Sequence, residues 1–216
     1  MKRRTIKTIL AVAAILCCAV IGAGCTKTSS APEVNHTGET NLTINATTLV
    51  TDIYADIEVE DYGTITVALA KEYAPGTVEN FITLAESGFY NGLTFHRIME
   101  DFMMQGGDPN GNGTGGSDTT IFGEFKQNGF DNPLSHTRGA ISMARAMDPD
   151  SASSQFFIVH EDSLFLDGSY AVFGYVTEGM EIVDQICEGS EPTDNNGTIP
   201  REDQPVITTI TIRVEE

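Results

Sequence analysis

Phe95-His96-Arg97-Ile98 opens an apolar, aromatic-rich tract that carries one arginine, and Phe102-Met103-Met104-Gln105-Gly106-Gly107 follows it. An arginine stays protonated and offers several N–H donors from a planar fork. Among large apolar side chains it supplies a fixed donor and not a nucleophile. Further blocks of the same character are Ser142-Met143-Ala144-Arg145-Ala146, Ser154-Gln155-Phe156-Phe157-Ile158, Phe165-Leu166-Asp167-Gly168 and Val172-Phe173-Gly174. Motifs for covalent or metal chemistry are missing: there is no Gly-x-Ser-x-Gly elbow, no Cys-x-x-Cys pair and no His-Glu-x-x-His. The histidines His36, His96, His136 and His160 are scattered, so no metal site is expected. The run Gly111-Asn112-Gly113-Thr114-Gly115-Gly116 has no following Lys-Ser/Thr and no helix behind it, and it reads as a tight exposed loop.

The elements that must hold these residues follow from periodicity. Ile53, Ala55, Ile57 and Val59 alternate with polar residues, and alternation resumes at Ile65, Val67 and Leu69 after Asp61-Tyr62-Gly63. That pattern predicts a β-hairpin. Val78, Phe81, Ile82 and Ala85 then fall on one helical face, between Pro75 and Gly88. A second helix is predicted over about 179–188, with Ile182, Val183, Ile186 and Cys187 on one side. Alternation returns at Ile210, Ile212 and Val214. Short strands with only two helices predict a mainly β fold, a closed barrel capped by the helices.

Residues 1–25 read as a secretory leader. Lys2, Arg3, Arg4 and Lys7 precede an apolar run, Ile9 to Ile21, that is short for a membrane span. Gly22-Ala23-Gly24-Cys25 resembles a bacterial lipobox, although Gly22 stands where Leu is usual. Lipidation at Cys25 is expected, which would hold the protein to the outer face of a membrane; plain cleavage and secretion is the alternative. Residues 26–48 are polar and predict a flexible tether of about 20 residues, spanning on the order of 25 Å. Residues 49–216 form the expected folded domain. Only Cys187 falls in it, so no internal disulfide is expected there. The formal net charge is −19, and loss of the basic leader makes it more negative. Such a surface argues against nucleic-acid partners and for a soluble monomer.

The blocks around Arg97, together with Val78-Glu79-Asn80-Phe81, resemble the signature of the cyclophilin-type peptidyl-prolyl isomerases, in the same order and with similar spacing over residues 49–216. The resemblance implies an eight-stranded antiparallel β-barrel with a helix closing each end. It implies proline-containing unfolded or extended polypeptides as partners, and rotation about the X–Pro bond as the reaction. No cofactor is implied, because no bond to the substrate is broken. Arg97 matches the family's catalytic arginine. Phe102, Met103, Phe157 and Leu166 match the proline slot. Gln105 and Gln155 match polar positions beside it, and Ala144 and Arg145 match the stretch that pairs with the substrate chain. His96 is expected to be packed and hydrogen-bonded.

Three residues of the expected substrate groove depart from the family's common pattern. Phe165 stands where Trp is frequent, Arg145 where Asn is, and Tyr170 where His is. Phe165 lacks the ring N–H donor of Trp, so cyclosporin binding is expected to be weak. Arg145 is expected to bias the groove towards acidic substrates. The leading reading is a lipid-anchored, extracytoplasmic enzyme that speeds folding of exported proteins. The alternative is a proline-segment-binding chaperone or scaffold with incidental turnover.

Overall fold

In the computed structural model of the chain, residues 44–215 are described. Cys25 and most of the expected tether lie outside them. The first alternating segment forms β1 (Ile53–Val59) and the second forms β2 (Gly63–Leu69). The turn between them uses positive φ at Asp61 (64°) and Gly63 (125°), the second of which a side chain would strain. Ala55 faces Val67 and Ile57 faces Ile65 across the pair, so one face is wholly apolar and buried.

Helix α1 (Pro75–Glu86) begins on a proline, whose missing N–H costs nothing there. Its cap comes from 47 to 48 residues away. The buried Glu124 carboxylate accepts from Gly76 N (2.9 Å), Thr77 N (2.8 Å) and Thr77 Oγ1 (2.7 Å). A carboxylate at this end also complements the helix dipole. Val78, Phe81 and Ala85 are its buried stripe.

The chain continues through β3 (Thr94–Met99), β4 (Met103–Asp108), β5 (Ala140–Met143), β6 (Phe156–Val159), β7 (Val172–Glu178), helix α2 (Met180–Gly189) and β8 (Ile207–Val214). Among the described residues these strands form one eight-stranded antiparallel sheet, ordered β3-β4-β6-β5-β7-β2-β1-β8. The expected closed barrel is corrected: the sheet is curled but open, because its edge strands β3 and β8 do not pair along their lengths. The free edge of β3 is taken by irregular chain instead. Ile98 N donates to Gly197 O (2.8 Å), Ile199 N to His96 O (3.0 Å) and Phe95 N to Pro205 O (3.0 Å). An isolated bridge, Thr94 with Val206, lies in the same seam.

Inside the curl, Phe156 meets Phe81, Tyr90 and Phe95 edge-on, with centroids 5.5, 5.6 and 6.0 Å away. Edge-to-face pairing suits the ring quadrupoles. Tyr90 is fully buried, and its hydroxyl donates to Ser154 O at 3.1 Å. The next residue, Phe157, points to the opposite face of the strand, as a period of two requires. Residues 44–48, placed by composition in the tether, form a turn seated on the domain: Ile44 and Ala46 pack against the apolar cluster that includes Leu134 and Tyr175, and Tyr175 Oη lies 3.0 Å from Ile44 O.

Candidate active site

Arg97 and Gln105 sit opposite each other on β3 and β4, beside a register irregularity between Phe95 and Arg97. Bulges of this kind re-aim side chains. Arg97 Nη1 donates to Gln105 Oε1 (3.2 Å), and its Nε donates to the backbone carbonyl of Asn196 (2.7 Å). Among the described residues its Nη2 has only a thioether as acceptor, Met99 Sδ at 3.4 Å, and sulfur is a weak acceptor. Gln105 Nε2 donates to Gln155 Oε1 (2.9 Å), and Gln155 Nε2 to Gly115 O (2.7 Å), so one amide chain fixes the guanidinium from behind. Burial lowers the Arg97 pKa, and the nearby Asp194 carboxylate opposes that shift. The group stays a cation.

Beside the guanidinium lies a concavity of about 240 Å³ lined by Arg97, Phe102, Met103, Gln105, Ala144, Arg145, Phe157, Leu166 and Tyr170. A second, of about 280 Å³, adjoins it through Gln105, Ala144 and Arg145, and is walled by Gln155, Ser151, Ser153 and the backbone of Gly113, Thr114 and Gly115. Phe165 lines neither. It stands 74% exposed at the rim, its ring 5.6 Å from that of Phe102. Of the groove residues expected from the sequence, all but Phe165 therefore line these two adjoining concavities.

Several residues of the site were not anticipated. His136, fully buried, stacks against Phe157 (5.9 Å, 12° between planes) and bridges Asp167 Oδ1 (2.8 Å) to Ser142 Oγ (3.1 Å). Asp194 organises the loop that offers the Asn196 carbonyl, accepting from Asn196 N (2.9 Å), Thr198 N (3.1 Å) and Thr198 Oγ1 (2.9 Å). The 111–116 run is not merely an exposed loop. Its turn closes on the buried Asp108 carboxylate, which accepts from Asn110 N, Asn112 N and Gly113 N at 2.9, 3.0 and 2.6 Å. Burial pushes the Asp108 pKa up, but these amides outweigh it and hold the carboxyl below its usual value.

His96 is a correction. It is packed as expected, only 4% exposed, yet neither ring nitrogen has a hydrogen-bond partner among the described residues. Burial lowers its pKa, with Asp108 raising and Arg97 lowering it further. An imidazole of this kind is neutral at pH 7 and packs as an apolar ring. Arg145 lines both concavities, and four hydrogen bonds to backbone carbonyls engage its guanidinium there.

Residues 54–213 match the family model for cyclophilin-type peptidyl-prolyl cis-trans isomerases. The chain is 49% identical over 131 residues to peptidyl-prolyl cis-trans isomerase B of Bacillus subtilis, covering 61% of this chain and 88% of that protein. It is 46% identical over 138 residues to a peptidyl-prolyl cis-trans isomerase of Helicobacter pylori strain J99, covering 63% and 82%. Among solved structures it resembles a cyclophilin-type isomerase of Cryptosporidium parvum crystallised in the presence of the dipeptide Ala-Pro. The TM-score is 0.65 at 28% identity, over 76% of this chain and 99% of that one.

Proposed function

We propose, for a chain that belongs to the cyclophilin-type peptidyl-prolyl cis-trans isomerase family, that Arg97 is its catalytic residue and exported polypeptides are its substrates. The chain is an isomerase of X–Pro peptide bonds. Amide resonance sets a barrier of about 18–20 kcal/mol to that rotation, and uncatalysed exchange takes tens to hundreds of seconds. Twisting the bond breaks its conjugation and leaves a lone pair on the proline nitrogen. A donor placed there stabilises the twisted form over both planar forms, which is differential binding of the transition state.

The substrate proline enters the slot made by Phe102, Met103, Phe157 and Leu166, where large and adaptable side chains supply apolar contact. The observation that carries this reading is the state of Arg97. Two of its nitrogens are tied, to Asn196 O and Gln105 Oε1, Nη2 meets only the Met99 thioether among the described residues, and the side chain lines the slot. A half-buried cation with an uncommitted donor is preorganised for a developing lone pair. Gln105 both orients it and stands where it can bond the substrate backbone.

The test is isomerisation of an X–Pro peptide by the wild type and by Arg97→Ala. Loss of about 10²–10³ in kcat/KM with the fold retained is expected, by analogy with removal of one transition-state donor. Arg97→Lys is not expected to rescue, because a compact ammonium lacks the planar fork that spans both anchors and the substrate. Retained rate in Arg97→Ala overturns the assignment.

We further propose that Cys25 carries a lipid anchor that holds the enzyme at the outer face of the cell membrane. The positive n-region, the short apolar run and the Gly-Ala-Gly-Cys ending support this. Mass spectrometry of the mature N-terminus decides it: a lipidated Cys25 is expected, and a free N-terminus beyond Cys25 means a secreted protein.

A further inference from the structure

Two of the residues that depart from the family's common pattern touch each other. The Arg145 guanidinium lies over the Tyr170 ring at 4.8 Å and over the Phe125 ring at 4.9 Å. Its edges are engaged as fully as its faces. Nε and Nη2 donate to Ser169 O (3.1 and 2.8 Å), and Nη1 donates to Ala146 O (2.9 Å) and Met147 O (3.5 Å). One side chain thus joins three pieces of irregular chain: the end of β5, the turn before β7, and the segment carrying Phe125.

We propose that Phe125, Arg145 and Tyr170 form a clasp that fixes the wall shared by the two concavities, with Arg145 as a positioning residue and not a charge that reads the substrate. The proposal rests on the isomerase reading for its substrate class. An acidic substrate side chain would have to displace backbone carbonyls from the guanidinium and slide past two aromatic faces, which is a poor exchange. A planar fork between rings is, in contrast, what arginine does and lysine does not. The clasp reaches the slot through Tyr170, whose ring meets Phe157 edge-on at 6.0 Å and 85°. It reaches the second concavity through Ala146, whose N–H donates to Ser151 Oγ at 2.9 Å. The departures at 145 and 170 are then one device.

The experiment measures KM, kcat and peptide affinity, by NMR titration, on the mature full-length chain with an X–Pro tetrapeptide. The variants are Arg145→Lys, Arg145→Gln, Phe125→Leu and the double variant Phe125→Leu/Arg145→Gln. Phe125 is buried and lines neither concavity. We expect each single variant to raise KM by about tenfold, with the loss falling on KM and not on kcat. The double variant should be no worse than Arg145→Gln, because all remove the same contact. The clasp is overturned if Arg145→Lys keeps the wild-type KM. It is equally overturned if the loss is confined to peptides with Glu before proline, or if the losses add. If Arg145→Gln does not fold, Arg145→Lys and Phe125→Leu carry the same comparison. A wild type that binds the peptide without turning it over overturns the isomerase reading, while the affinities still decide the clasp.

Discussion

The backbone carbonyl of Asn196 accepts a hydrogen bond from Arg97 Nε at 2.7 Å, across 99 residues of sequence. No substitution of the Asn196 side chain removes that acceptor. Its placement depends on Gly197, which has φ +86° and whose carbonyl accepts from Ile98 N at 2.8 Å. A Cβ at this position would lie 2.7 Å from Ile98 O. Gly197→Ala should therefore push the segment off β3 and unseat the guanidinium. We expect kcat/KM to fall by about 10- to 100-fold, the usual cost of a misplacement near 1 Å, with stability lower by about 1–3 kcal/mol. Peptide isomerisation alongside thermal unfolding checks this. A lower Tm with undiminished turnover would show that the Asn196 carbonyl is dispensable.

Gln105 is the next link. Replacing it with Leu leaves Arg97 Nη1 facing only Met103 Sδ, at 3.7 Å. A hydrogen bond to a charged group is worth about 1.5–3 kcal/mol, so kcat/KM for Gln105→Leu should drop at least about tenfold. Gln155→Leu acts one bond further out and should cost less. Equal losses in the two variants would mean that the amide chain acts as a rigid unit and not as a graded support.

Arg97, Gln105 and Phe157 were legible in the sequence because family-like blocks carry them. The hairpin and both helices were legible for a different reason: the apolar residues around Ile57 and Val78 repeat with clear periods of two and 3.6. What stayed hidden acts through the backbone or across long separations. Asn196 contributes a carbonyl, which no residue type encodes. Glu124 caps α1 from a loop, and Phe125 supplies a ring from the same loop. β5 and β6 are four residues each and buried throughout, so they show no alternation. The open seam between β3 and β8 depends on how 196–207 packs, and periodicity is silent on that.

Phe165 is the residue whose chemistry is easiest to restore. Its exposed ring leans on Phe102 at 31° and offers no donor. Phe165→Trp adds a ring N–H at the rim without touching the core. If that donor limits cyclosporin binding, affinity should rise by about 1–1.5 kcal/mol, or roughly tenfold, with Tm unchanged. Titration calorimetry on both proteins checks it. Unaltered affinity would mean that the missing ring N–H does not limit cyclosporin binding.

His96 and His136 give the fold a pH dependence opposite to that of a histidine gaining an acidic partner. Burial lowers both pKa values, against the raising influence of Asp108 on the first and Asp167 on the second. The unfolded imidazoles titrate near about 6.5. Above that pH neither state binds the proton, and nothing is lost. As pH falls through about 6.5 the unfolded chain takes up protons that the native state refuses, so stability declines until the lower native values are reached. Asp108 and Asp167, both held below the usual carboxylate value, add a further loss in stronger acid. Tm should thus hold from pH 7.5 to about 6.5 and fall from there to pH 5. His96→Leu should flatten part of that slope. It should also raise Tm at neutral pH, since it removes two buried ring nitrogens that have no partner among the described residues. A wild-type Tm constant over this range would show that the imidazoles bind protons equally in both states. A neutral-pH loss of Tm in His96→Leu would show that its ring makes polar contacts worth more than the burial costs.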